Sequence, residues 1–355
     1  MKILGIESSC DETGAAVVED GRKILTNVVA SSADLHKKTG GIIPEQAARQ
    51  QVTAIIPVLA KALKGRSLEK INALAVTVGP GLIGSLLVGV ETAKTLSMLS
   101  GKPLIPVNHV LAHLYANFPV SKKDPEFPAL GLVVSGGHTE LFFIEKVNKL
   151  KWIGGTLDDA AGEAFDKTSR ILELGFPGGP AIAAAAAKYK IQRNKLQKIK
   201  LPRPMINSDN FNFSFSGLKT AVLREVEKLK HNSQFNSSTI QQLAYEIEES
   251  ITDVLTYKTL RAAEKYKVKS ILLGGGVAAN KRLAEKMKSE IPRIIRGRRN
   301  PCLAGRQAKS EINLHIPPPS LCTDNAAYIA SYAYFFDNAV PWQEIEARPD
   351  LDVEV

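Results

Sequence analysis

Ile3-Leu4-Gly5-Ile6-Glu7 runs into the polar turn Ser8-Ser9-Cys10-Asp11-Glu12-Thr13-Gly14 and leaves it through Ala15-Ala16-Val17-Val18. Short apolar runs on both sides of a polar turn read as strand, turn, strand, a hairpin with acids at its tip. The arrangement recurs where Ala129-Leu130-Gly131-Leu132-Val133-Val134 enters Ser135-Gly136-Gly137-His138-Thr139 and continues through Glu140-Leu141-Phe142-Phe143-Ile144. Two such hairpins predict two similar lobes, each opening with the same unit. The 355 residues accommodate two lobes at the usual ~100 to 200 residues per domain, and two packed lobes imply a cleft.

Between the hairpins, Ile42 to Leu63 has helical apolar spacing interrupted at Pro57, Ala73 to Val78 reads as a buried strand, and Gly81 to Leu99 as a helix with small residues on one side. Farther on, Ile240, Leu243, Ala244, Ile247, Ile251, Val254 and Leu255 fall at intervals of three and four, one apolar stripe on a long helix ending near Tyr266. The strand Ser270 to Leu273 then meets Gly274-Gly275-Gly276-Val277-Ala278-Ala279-Asn280 and another helix. Strand, glycine turn and helix in that order let backbone N–H groups approach a nucleotide. Strands alternating with helices make the chain α/β.

Two basic stretches, Lys188 to Lys200 and Arg293 to Lys309, read as surface loops. Such charge runs are more often solvated faces than RNA contacts. Pro317-Pro318-Pro319 enforces an extended approach to Leu321-Cys322-Thr323-Asp324-Asn325.

With 44% hydrophobic and 23% charged residues, and no run of the ~18 apolar residues that a membrane span needs, the sequence predicts a soluble protein without membrane association. The apolar run at Ile3 stops at Glu7, so neither a secretory nor a transit segment is read, and a cytoplasmic location is expected. The three cysteines, Cys10, Cys302 and Cys322, are scattered, which argues against a disulfide framework or a cysteine metal site. A net charge of +10 favours a polyanionic partner without specifying one.

His109-Val110-Leu111-Ala112-His113 places two of the six histidines four residues apart, one helical turn on one face, where they can share a metal or simply hydrogen-bond to backbone. Val110 stands where a zinc protease would need glutamate, so peptide hydrolysis is disfavoured. Two histidines need at least one further ligand, and a carboxylate would complete a set suited to iron(II) or zinc. Ser135-Gly136-Gly137 and Gly178-Gly179-Pro180 serve backbone geometry as readily as a ligand. There is no GxxxxGK[ST] loop. In Asp158-Asp159-Ala160-Ala161-Gly162-Glu163-Ala164-Phe165-Asp166-Lys167, small residues permit close approach, and Asp166 or Lys167 could address ribose or phosphate; an ordinary surface helix has the same composition.

Taken together, these motifs resemble the TsaD-type tRNA N6-adenosine threonylcarbamoyltransferases, once labelled glycoproteases. The likeness spans nearly the whole chain: Gly5-Ile6-Glu7-Ser8-Ser9-Cys10-Asp11-Glu12-Thr13, Gly40-Gly41-Ile42-Ile43-Pro44-Glu45, Gly79-Pro80-Gly81-Leu82, His109 with His113, Ser135-Gly136-Gly137-His138-Thr139, Asp158 to Lys167, Phe176-Pro177-Gly178-Gly179-Pro180, Phe213 to Thr220, Gly275 to Asn280, and Cys322-Thr323-Asp324-Asn325. The resemblance implies the two-lobed fold of actin, Hsp70 and sugar kinases, with duplicated RNase H-like domains around a central cleft. The first lobe would cover residues 1–117, completed by a C-terminal helix over 325–340, and the second residues 118–324. It implies one divalent metal per subunit, Fe(II) in preference to Zn(II), on His109, His113 and Asp324. It also implies that Val133, Val134, Ser135, Gly136 and Gly137, with Asp166, Gly179 and Asn280, hold threonylcarbamoyl-adenylate.

The implied reaction transfers the threonylcarbamoyl group to N6 of the adenosine next to the anticodon, position 37, in tRNAs that read ANN codons, and releases AMP. The donor is a mixed anhydride with a good leaving group, so positioning and charge stabilisation dominate. Asp11 and Glu12 are the candidate catalytic acids, to orient the threonyl part or accept a proton, although hairpin acids also cap turns. Expected partners are tRNA, a paralogous dimerisation subunit, an ATPase subunit and a separate enzyme that makes the adenylate. Three departures stand out: Ala112 where glycine is common, Ala183 where many members carry an acid for the donor ribose, and the basic insert around Arg293 to Lys309. A kinase or carbamoyltransferase of the same fold is the leading alternative, and a non-catalytic scaffold paralogue the second. The histidine pair with Asp324 argues against both.

Overall fold

A computed structural model describes residues 1–32, 41–121, 123–189, 199–297 and 312–353. The first hairpin is formed by β1 (Lys2–Glu7) and β2 (Glu12–Glu19), antiparallel, followed by β3 (Lys23–Ser31). Glu12 opens β2 opposite Ser31, so the tip is shorter than the sequence suggested and Glu12 lies inside the ladder. Helix α1 (Pro44–Leu63), strand β4 (Ala73–Gly79), helix α2 (Ile83–Ser100), strand β5 (Leu104–Asn108) and the short α3 (His109–Ala112) follow. The strand order is β3-β2-β1-β4-β5, with β4 and β5 parallel to β1.

Pro57 does not interrupt α1, contrary to the sequence reading. Its ring lies on the exposed side, where water can serve the carbonyl that loses its partner, while Ile55, Val58, Leu59 and Ala62 are buried. Tertiary packing outweighs the local penalty. In α2 the small residues do bring backbones together: Gly89 N–H donates to Ser8 Oγ at 3.1 Å, and a Cβ on Gly84 would press on Ala48 of α1.

The second hairpin, β6 (Ala129–Val134) and β7 (Thr139–Lys146), leads to β8 (Lys149–Gly155), then α4 (Ala161–Ile171), α5 (Gly178–Tyr189), α6 (Ser216–His231) and α7 (Ser237–Lys265). Asn236 and Thr239 form a capping box at the start of α7, whose predicted stripe is fully buried from Leu243 to Leu255. Then come β9 (Ser270–Gly274), α8 (Lys281–Gly297) and β10 (Asn313–His315). The sheet order β8-β7-β6-β9-β10 repeats that of the first sheet strand for strand, and β6 pairs antiparallel with β7 and parallel with β9 as β1 does with β2 and β4. The duplication inferred from two hairpins therefore extends to whole sheets. The basic stretches were expected to be loops; instead α5 includes Lys188 and Tyr189 and α8 includes 293–297, Ile199 and Lys200 lie outside helices and strands, and the remainder of both stretches lies outside the described residues.

Two compact units result: residues 1–125, 147–149 and 317–355 in one, 126–146 and 150–316 in the other. Short α9 (Pro319–Cys322) and α10 (Ala326–Phe336) return the chain to the first unit. There Leu4 and Ile6 of β1 face Val58, Val90 and Ala93 of α1 and α2. Gly5, on the opposite face by strand alternation, lies so close to Ala326 and Ala330 of α10 that a Cβ would strike backbone. Each Leu or Ile fully buried in this layer contributes roughly 2 kcal/mol.

Candidate metal centre and nucleotide loops

Asn108 caps α3, accepting the N–H groups of Val110 and Leu111 at 3.0 and 3.2 Å, and so fixes His109 at the start of a turn that continues as a 3-10 helix from His113. The two imidazoles stand edge to face with centroids 4.7 Å apart. Asp324, delivered just after α9, puts Oδ1 at 3.7 Å from Nε2 of His109 and 3.5 Å from Nε2 of His113. One donor atom from each of the three residues lies within 4.8 Å of the others. The two histidine–Asp324 separations exceed hydrogen-bond lengths but are close to the edge of a coordination tetrahedron, about 3.4 Å when each donor is ~2.1 Å from a shared ion. Two imidazole nitrogens and a carboxylate oxygen therefore fit a divalent metal in both chemistry and spacing.

Electrostatics favour the same conclusion. Burial would raise Glu7, but His109 and hydrogen bonds from His109, Ser9 and Thr77 hold it below its ordinary value. Burial works against protonation of His109, yet Glu7 and then Asp324 raise it to about 9. Asp324 is pushed up to about 6 by burial and by Glu7 and Asp11, against the pull of His109. Glu12 rises to about 10 through burial, Asp324 and Asp11. So many acids around one imidazole pair repel one another, a strain that a divalent cation relieves.

In the second unit, Val133 and Val134 end β6, and Ser135, Gly136 and Gly137 form the hairpin turn, closed by Ser135 N–H to His138 O at 2.9 Å. Gly162, in the first turn of α4, donates to Ser135 O at 3.2 Å, a contact that a side chain would prevent. Gly275, with φ of 87°, backs onto Val134, again too close for a Cβ. Asp166 Oδ1 accepts the N–H of Gly178 at 2.6 Å and thereby ties the middle of α4 to the start of α5, beside Gly179. Asn280 caps α8 through Leu283 N–H at 2.9 Å and donates to Glu248 of α7 at 3.0 Å. A Cβ on Gly136, Gly137, Gly179 or Gly276 would meet open space, and none of the four has a positive φ. The fold itself does not require glycine there. Backbone left bare for no internal reason is what close approach of a ligand needs.

The family described as TsaD, tRNA N6-adenosine threonylcarbamoyltransferase, matches this sequence over residues 23–331. The chain belongs to that family. The threonylcarbamoyltransferase of Persephonella marina is 44% identical over 94% of this chain and 90% of its own length. That of Symbiobacterium thermophilum is 46% identical over 99% and 94%. Among solved structures, (R)-2-hydroxyglutaryl-CoA dehydratase component A of Acidaminococcus fermentans superposes with a TM-score of 0.50 at 14% identity, covering 94% of this chain and 98% of that one. At that identity the likeness concerns fold alone, the two-lobed actin-like architecture.

In this member of the threonylcarbamoyltransferase family, several residues around the site escaped the sequence reading. Glu7 Oε2 accepts the hydroxyl of Thr77 at 2.6 Å and faces His109 Nδ1 at 3.2 Å; Ser9 Oγ is equally near Nδ1. Tyr328 of α10 lies tilted against His113, ring centroids 4.7 Å apart, and donates to Asp324 at 3.4 Å. Asp158 takes four hydrogen bonds from Ser214, Phe215 and Ser216. Lys167, weighed above as a phosphate contact, is paired with Asp159 and Glu163. Glu7 and Thr77 lie too far apart in sequence to be linked by spacing; only the β1-β4-β5 order makes them neighbours.

Proposed function

We propose that this chain transfers the threonylcarbamoyl group of threonylcarbamoyl-adenylate to N6 of adenosine 37 in tRNAs that read ANN codons, releasing AMP. The full-length match to the threonylcarbamoyltransferase family carries this reading. Val133 to Gly137, Asp166, Gly179 and Asn280 hold the donor: backbone N–H groups at the bare glycines bind phosphate oxygens, and Asp166 and Asn280 keep the helix starts in place around it. His109, His113 and Asp324 hold one divalent metal, Fe(II) in preference to Zn(II), since two histidines and a carboxylate leave positions open. When bound, the metal would supply Lewis acidity. Asp11 and Glu12 orient the threonyl group, and Asp11 takes up the proton lost from the amine, since Glu12, raised to about 10, already carries one.

The chain works in the cytoplasm with a paralogous subunit and an ATPase. Support for the paralogue comes from α1 and α2, which bear the exposed apolar pairs Val52 with Ile56 and Ile83 with Leu87, at i,i+4 spacing. A similar helix pair on the paralogue would cover them. No helix among the described residues is long and apolar enough to cross a membrane.

The test is transfer itself. Purified protein, unmodified tRNA and fresh threonylcarbamoyl-adenylate, with and without partner subunits, should yield threonylcarbamoyladenosine by nucleoside mass spectrometry, and the His109→Ala variant should yield none. Absence of product in every mixture from folded, metal-loaded protein would reject the reading.

A further inference from the structure

Glu7 is the last residue of β1 and has no exposure to solvent. Both of its oxygens are engaged: Oε1 accepts the N–H of Ser9 at 2.6 Å, and Oε2 accepts the Thr77 hydroxyl while facing His109 Nδ1. A carboxylate has no hydrogen to give, so the ring nitrogen opposite it carries one. In the neutral ring that a metal requires, the lone pair of His109 is then on Nε2, the atom turned toward Asp324 Oδ1. We propose that Glu7 is a positioning residue that fixes the rotation and tautomer of the His109 ring so that Nε2 is presented to a divalent cation. This rests on the metal reading given above. Carboxylate partners of this kind orient histidine ligands and raise their basicity.

Glutamine at position 7 discriminates this role from plain packing, because it has nearly the same shape. If its oxygen keeps Ser9 N–H, its NH2 group faces His109 Nδ1 and forces the ring hydrogen onto Nε2. If it flips, two donors meet at Ser9. The first arrangement loses the metal-facing lone pair, and the second keeps a neutral acceptor at Nδ1 only by setting two N–H groups against each other at Ser9, without the carboxylate's charge and with little change in volume.

The experiment uses Co(II) as a spectroscopic probe, competed against a chromophoric chelator, on the full chain and its Glu7→Gln, Ser9→Ala and His109→Ala variants, each checked for folding by circular dichroism. Glu7→Gln should bind Co(II) about 10- to 100-fold more weakly with shifted ligand-field bands, and Ser9→Ala should change less. Wild-type affinity and bands in Glu7→Gln would overturn the positioning role while leaving the metal reading intact. Should the unsubstituted chain bind Co(II) no better than His109→Ala, both fall. If Glu7→Gln does not fold, Glu7→Asp, which keeps the charge but is too short for the His109 contact, carries the test: shifted bands support the role and unchanged bands overturn it.

Discussion

Asp158 holds the N-terminus of α6 by way of Ser216, taking that residue's backbone N–H at 3.2 Å and its hydroxyl at 2.7 Å. A cap reaching across 58 positions of sequence joins the loop before α4 to the helix that follows Phe215. Asp158→Ala should destabilise the protein by about 1 to 2 kcal/mol, the usual value of a cap. Burial raises this carboxyl, but the hydrogen bonds from Ser214, Phe215 and Ser216 together outweigh it and leave it below its ordinary value. Its stabilisation is therefore complete above the unfolded value near 3.8 and disappears as pH falls through the depressed folded value. Urea melts of wild type and variant should differ at pH 7 and converge in that acid window.

Removing a metal ligand should separate binding from folding. His113→Ala and Asp324→Ala should retain far less than stoichiometric metal after dialysis, as measured by mass spectrometry, whereas His231→Ala, on the exposed end of α6, should match wild type. Chelation should lower Tm of the wild type, because a ligand held 100-fold above its Kd contributes about 2.7 kcal/mol, and leave Tm of Asp324→Ala unmoved.

The bare glycines predict a split between stability and binding. Gly179→Ala adds a methyl in open space within the first turn of α5, so stability should hold or rise by up to about 1 kcal/mol. Binding of the adenylate or of AMP, followed by calorimetry, should weaken. Gly275→Ala should instead lose stability, since its Cβ would enter the Val134 backbone at a positive φ.

Val52→Asp combined with Ile56→Asp alters only exposed positions of α1. Tm should move by no more than about 0.5 kcal/mol equivalent, while association with the paralogous subunit in sedimentation should be abolished. Association at wild-type strength would remove this face from the proposed interface.

The hairpins at Glu7 and Val134 were legible because strand periodicity and turn chemistry are local, and the histidine pair because one helical turn is local too. Repetition of the full strand order was only hinted at by the second hairpin. Pro57 misled because a local breaker says nothing about the packing of Ile55 and Leu59 beneath it. The environment of His109 was not legible: Glu7, Thr77 and Tyr328 come from β1, β4 and α10, and no short-range pattern ties them together. The same is true of Asp158, whose run was noticed but whose partners around Ser216 lie on a different element.

The first unit is built from both ends of the chain, with β1 at one end and Asp324, α10 and the segment through Asp352 at the other. That last segment meets the loops next to the histidines directly: Gly81 N–H donates to Pro349 O at 3.1 Å, and the side chain of Asn108, the residue capping His109, donates to Asp352 O at 3.1 Å. On the ribosome, Glu7 and the two histidines emerge long before the carboxylate that completes their set. The three candidate ligands can therefore come together only after Asp324 has been made and has folded back onto the first unit.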